Sequence, residues 1–191
     1  AILFMTYLTR GPLQDPNGYL PVSAQLDPVA RLPRLFDTRI HIGILIAVIL
    51  VPLVYALLWS TPLGFKLRAV GERASVAKYA GVNVEWMITF ALIFSGALAG
   101  LAGAVEVSGV HSRLKTSISV DYGFSGILVA LLGRMNPFGV AIAAVFFAGL
   151  GTGVEAMHSV YKLPVALAQA VQAIIVLSVL AVDALAQRRK M

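Results

Sequence analysis

The run IGILIAVILVPLVYALLW, Ile42 to Trp59, decides the fold. Its 18 residues carry no charge. As a helix at 1.5 Å per residue it rises about 27 Å, enough to cross ~30 Å of hydrocarbon with little tilt. Pro52 inside it predicts a kink that neighbouring helices tolerate. Working outward, residues 10–41 are polar and broken by Pro12, Pro16, Pro21, Pro28 and Pro33, which forbids a continuous helix and predicts a long extramembrane loop. On the other side lies a polar region, 60–86. Beyond it, Met87 to Val105 is a second uncharged run, rich in small residues. Val120 to Gly133 is shorter and holds Asp121 at its mouth, predicting a thin or broken element. Phe138 to Val154 and Leu163 to Val182 read as two further spans, and Gln187-Arg188-Arg189-Lys190 as a basic cap at a membrane surface.

Composition agrees with this reading. Of 191 residues, 59% are hydrophobic and 13% charged, about half the charge of a soluble domain. The expected class is therefore all-α, a polytopic helical bundle forming one membrane domain over 1–191. The net charge of +6 is scattered between apolar blocks and does not point to nucleic acid. With no cysteine, disulfide frameworks, thiolate metal sites and cysteine nucleophiles are excluded. Three widely spaced histidines do not suggest a metal cluster. The apolar opening, Ala1 to Leu8, lacks an initiator methionine and is about half of a span. It reads as the tail of a helix begun upstream, with the chain as a fragment.

Charge bias hardly orients the chain. With 60–86 inside and every block crossing once, eight basic residues fall inside (Lys66, Arg68, Arg73, Lys78, Arg134, Arg188, Arg189, Lys190) and seven outside. Parity is the better guide, because the basic tail lands inside only if the short 120–133 block also crosses.

The glycines do not make a nucleotide site. Gly149-x-Gly151-x-Gly153 has its third glycine one position early for a dinucleotide turn and lies within an apolar block. Gly96-x-x-x-Gly100, followed by Gly103, predicts close helix packing instead. The phosphate-cradling G-x-x-x-x-G-K-[ST] pattern is absent from the sequence, so any energised transport would draw on another subunit or an ion gradient.

The polar stretch Thr61 to Asn83, TPLGFKLRAVGERASVAKYAGVN, is more organised than an ordinary loop. Gly71 permits a turn, Glu72 suits a helix N-terminus, Lys78 the last turn and Gly81 the stop. These predict a helix of about two and a half turns, Glu72 to Ala80. Ala74, Ala77 and Gly81 share a small-residue face, with Arg73, Val76 and Tyr79 pointing elsewhere. Alone such a helix is marginal and needs a partner surface. The pattern by itself fits a soluble partner and a linker lying on lipid headgroups equally.

Three strings resemble one family. GFKLRAVGERASVAKYAGVNV is similar to the cytoplasmic loop of ABC importer permeases of the branched-chain amino acid, ribose and nucleoside group. SGALAGLAGAVEVSGV (Ser95–Val110) and DYGFSGILVALLGRMNPFGVAIAAVFFAGL (Asp121–Leu150) resemble the same family, and the wording GFSGILVALLGRMNP is most similar to nucleoside or simple-sugar importers. The resemblance implies a permease subunit of the plasma membrane that moves a small polar solute inward and catalyses no bond chemistry. It implies a homo- or heterodimer of permeases, an extracytoplasmic solute-binding lipoprotein, and ATPase subunits that carry the ATP and Mg. No cofactor is expected on this chain. Loop 10–41 would then be extracytoplasmic and 60–86 cytoplasmic. The 71–81 helix would dock on the ATPase and transmit its closure. Gly71, Glu72, Ala77, Ala80 and Gly81 match the family's wording for that role, with Arg73 and Lys78 as possible charge partners.

For the solute path, Glu106 is an acid within an apolar block if the second span extends to Val110. Snorkelling, or pairing with Arg113, is the rival account. Gly123 and Gly126 predict a helix break over Asp121–Gly126 lining a cavity, where Tyr122 and Phe124 would stack on a base or sugar. Aromatic residues at an interface are also ordinary belt residues. Two other classes stay open at this level. Gly123-Phe124-Ser125-Gly126 matches the nucleophile motif of rhomboid-type intramembrane proteases, with His158 as the available base. An ion-coupled secondary transporter would use Glu106.

Overall fold

The computed structural model describes residues 2–16, 22–33, 41–115, 118 and 122–161, with isolated positions at 170, 173, 174, 176–178 and 181. The predicted span 163–182 therefore lies mostly outside the described residues, and Asp121 and the basic tail wholly so. The chain divides into two units, Ala1–Val120 and Asp121–Met191.

The first unit contains α1 (Ile2–Arg10), α2 (Gly43–Ser60), α3 (Pro62–Glu72), α4 (Ala74–Tyr79) and α5 (Val84–Glu106). α2 includes Pro52 without interruption. Apolar side chains point outward all round these helices: Val48 and Ile49 on α2 are each 62% exposed, Leu92 on α5 69%. A helix that is apolar on every face yet unburied needs lipid as its solvent. α2, α5 with its extension to His111, and the helical stretch Pro137–Val154 are each long and apolar enough to cross a membrane. The chain is a multi-pass helical membrane protein.

The polar region departs from its sequence reading. Helix does not begin at Glu72; it ends there. Thr61 caps α3 by accepting from the Gly64 N–H at 3.0 Å, with Pro62 at the first helical position. α3 then doubles back on α2 so closely that a Cβ at Gly64 would meet the carbonyl oxygens of Leu57 and Leu58. Gly71 makes no turn and sits inside α3. The break falls at Arg73, extended at φ −150° and ψ 95°, an ordinary conformation that needs no glycine. Its N–H closes α3 on the Ala69 carbonyl, and its own carbonyl opens α4 by accepting from Ala77 N–H, both at 3.1 Å.

Among the described residues the glycine-rich faces stand open. A Cβ added at Gly96, Gly100, Gly103, Gly149, Gly151 or Gly153 meets nothing within 4 Å. Close approach occurs elsewhere. At Gly43 a Cβ would strike Val105, and at Gly109 it would lie 2.8 Å from the His41 ring. These two glycines bring the start of α2 against the end of α5.

Beyond α5, a π-turn (Val107–His111) ends at Ser112, left-handed at φ 53°. The loop after α1 packs on this end. Ser23 N–H donates to the Leu114 carbonyl at 3.0 Å, Leu26 N–H to Ser112 at 2.9 Å and Leu32 N–H to Ser108 at 3.2 Å. Arg113 binds Asp15 at 3.2 Å. The described part of the proline-rich segment over 22–33 is thus tied onto the end of α5.

In the second unit, α6 (Tyr122–Leu132) meets α7 (Pro137–Tyr161) through a tight turn. The expected break over Asp121–Gly126 is not seen from Tyr122 onward, where Gly123 and Gly126 are helical. The break lies at 133–136 instead. Met135 N–H bonds the Ala130 carbonyl and Arg134 N–H the Leu131 carbonyl, each at 3.0 Å, a Schellman ending. Arg134 (φ 53°) and Met135 (φ 55°) take the left-handed conformation although neither is glycine. The glycine is spent one residue earlier, because a Cβ at Gly133 would collide with the backbone of Val140. Asn136 caps α7 by accepting from Phe138 N–H at 3.0 Å.

Candidate coupling site

Two successive turns hold α4 between α3 and α5. At its end Gly81 is left-handed at φ +79°, as its place at the stop predicted. Gly81 N–H bonds the Lys78 carbonyl and Val82 N–H the Ala77 carbonyl, each at 3.0 Å. These bonds satisfy carbonyls that a six-residue helix would otherwise leave unpaired. Two residues on, the Asn83 side chain accepts from Trp86 N–H at 3.1 Å and starts α5. Both ends of the element are thus closed by hydrogen bonds.

Of the residues predicted for coupling, Ala77 is 3% exposed and anchors α4, whereas Gly71, Glu72, Arg73, Lys78, Ala80 and Gly81 are exposed. Of the small-residue face, Ala74 and Gly81 lie exposed and Ala77 is covered within the chain. What α4 presents is Val76, 56% exposed, and Tyr79, 94% exposed. A cavity of about 620 Å³ lies beside it, lined by Ala74, Ser75 and Lys78 of α4 and by Asn83, Val84 and Glu85 at the start of α5. Apolar side chains standing clear beside a partly charged recess suit a protein partner.

At the far end of α5, Glu106 does not pair with Arg113, which holds Asp15. Its Oε1 lies 3.3 Å from Nδ1 of His111, both side chains 30% exposed. The two atoms are in contact without forming a hydrogen bond. The His41 ring seats against Gly109 in the same π-turn. Tyr122 and Phe124 on α6 are 63% and 77% exposed, and Gly123 between them has open space around its Cα.

The hairpin does not bring the backbones of Ser125 and His158 together. Ser125 stands about 10 Å back along α6 from the tight turn and His158 about 31 Å forward along α7 at the helical rise. Their backbones are therefore at least about 20 Å apart along the hairpin, far beyond the contact that activates a serine.

Sequence reasoning missed two features that the fold brings together. Trp59 stacks on Tyr55 with centroids 5.0 Å apart, and the Arg68 guanidinium lies 5.1 Å over the Trp59 ring. The Thr61-Pro62 start signal, an N-cap followed by proline, was available to place α3 and hence this cluster. No sequence signal foretold the Asp15–Arg113 pair.

The family described as "Branched-chain amino acid transport system / permease component" matches residues 2–180. A glucose ABC transporter permease protein of Haloferax volcanii is 33% identical over 183 residues, covering 90% of this chain and 48% of that protein. A guanosine ABC transporter permease protein of Bacillus subtilis is 36% identical over 169 residues, covering 87% and 48%. A nucleoside ABC transporter permease protein of Lactococcus lactis is 36% identical over 122 residues, covering 63% and 34%. The chain thus spans about half or less of the length of these relatives. No solved structure matches it.

Proposed function

The chain belongs to the permease-component family of branched-chain amino acid transport systems, and from that premise we propose that it forms part of the membrane-spanning subunit of an ATP-driven importer for a sugar or nucleoside. The solute class follows the printed substrates of its relatives, which include glucose, guanosine and nucleosides. The protein sits in the plasma membrane. ATP and Mg²⁺ act on separate ATPase subunits, a second permease completes the pathway, and a solute-binding lipoprotein delivers cargo to the side bearing the 10–41 loop. The chain itself carries out transport without bond chemistry.

In this reading α3 and α4 form the cytoplasmic input. The observation that carries it is a short helix, closed at one end by Arg73 and at the other by Gly81, that buries Ala77 and offers Val76 and Tyr79 outward. A pinned element moves as a body when pushed. A flexible loop would absorb the displacement. Lys78, Arg73 and Glu72 flank the contact, where exposed pairs add only about 0–1 kcal/mol each, so packing of Val76 and Tyr79 carries the affinity. For the solute path we assign Glu106 in the first unit and, separately, Tyr122, Gly123 and Phe124 in the second, whose aromatic rings offer faces on which a base or sugar ring stacks.

The test uses the full transporter in proteoliposomes, with ATP enclosed and binding protein outside. Uptake is expected to require internal ATP and to survive ionophores. Tyr79→Asp together with Val76→Asp is expected to abolish uptake while the permease stays inserted. Uptake driven by an ion gradient without ATP would overturn the reading.

A further inference from the structure

We infer that the groove between α2, α3 and α5 is a binding site for an anionic membrane phospholipid, its acyl chain lying in the groove and its phosphate held by Arg68. The groove measures about 390 Å³ and is walled by apolar side chains, among them Val54 and Leu57 of α2, Leu67 of α3, and Phe90 and Phe94 of α5. Two of its three walls belong to helices long and apolar enough to cross the membrane, an environment in which an acyl chain suits an apolar groove. Its single cationic residue is Arg68.

That arginine is prepared for a phosphate. The Trp59 ring, stacked on Tyr55, meets the guanidinium at 5.1 Å, a cation–π contact that uses the ring face and consumes none of the guanidinium's N–H donors. Neither Glu72, one turn along α3, nor Glu85 pairs with it among the described residues. Trp59 is the last residue but one of α2, next to the Thr61 turn, the level at which tryptophans mark the headgroup region. A cation at headgroup height opening onto an apolar cleft matches both ends of a phospholipid, and a guanidinium binds phosphate by two parallel hydrogen bonds. Basic recesses between membrane helices are a known form of such recognition. The inference rests on membrane residence alone, so it stands or falls independently of the transport reading.

The experiment is native mass spectrometry of the full transporter after exposure to equimolar phosphatidylglycerol and phosphatidylcholine. Wild type is expected to retain phosphatidylglycerol over phosphatidylcholine by about fivefold more than Arg68→Gln, the order expected of one surface cation facing anionic lipid. Arg68→Lys is expected to keep most of that preference. Ala91→Phe, which fills the groove and leaves Arg68 in place, is expected to lower retention of phosphatidylglycerol as well. An unchanged preference in Arg68→Gln overturns the proposal. Wild-type retention in Ala91→Phe overturns it too, since the occupant then lies elsewhere.

Discussion

At the scale of single residues, the strongest claim concerns Gly81. Its positive φ is required by the bonds that close α4, and a β-branched side chain there costs about 1–2 kcal/mol. Gly81→Val is therefore expected to fray α4, read as faster amide exchange at Lys78–Val82 and weaker co-purification of the ATPase. Gly81→Asn, which tolerates the left-handed region, is expected to lose far less. A weaker effect is expected at Asp15–Arg113. A double-mutant cycle on thermal unfolding is expected to return about 0.2–1 kcal/mol, the range for a partly exposed pair. The partner of Glu106 shows what residue patterns cannot reveal. In an α-helix residues five apart point well over a right angle away from each other, so Glu106 and His111 do not read as neighbours. Only the π-turn swings them together, and no composition rule announces a π-turn. Arg113, seven residues on, would share a helix face with Glu106 about two turns away, but Ser112 ends the helix before that spacing applies.

At the scale of elements, long uncharged runs were legible because lipid imposes a single period-free criterion, length without charge. Ile42–Trp59 matches α2 to within a residue at each end. Joints were less legible. The reading placed a turn at Gly71 because glycine permits one, yet nothing obliges a permitted turn to form. Thr61-Pro62 was the stronger start signal, and α3 runs from it through Gly71 to an arginine whose extended backbone any residue adopts. The same lesson applies to glycine-rich faces. Gly96 and Gly100 have open space, while Gly43, Gly109 and Gly133, which form no spaced motif, carry the close contacts. Substitution separates the two sets. Gly43→Leu is expected to lower thermal stability in detergent, overpacking costing about 1–3 kcal/mol. Gly100→Ala is expected to leave it unchanged or raise it slightly, as alanine favours helix by about 1 kcal/mol over glycine.

At the scale of the whole molecule, the family and the membrane class were both readable from the sequence, the first from three strings between residues 61 and 150. Topology was not, because eight basic residues against seven do not orient a chain. The central claim is that α4 lies on the cytoplasmic face beneath an ATPase. The absence of native cysteine in this chain permits a direct measurement: Ser75→Cys, lining the recess beside α4, is labelled with a membrane-impermeant maleimide in vesicles of either orientation. The account predicts labelling in inside-out vesicles, no labelling in right-side-out vesicles, and protection when the ATPase subunits are bound. Labelling from the outer face, or labelling that the bound ATPase leaves unaltered, would contradict it.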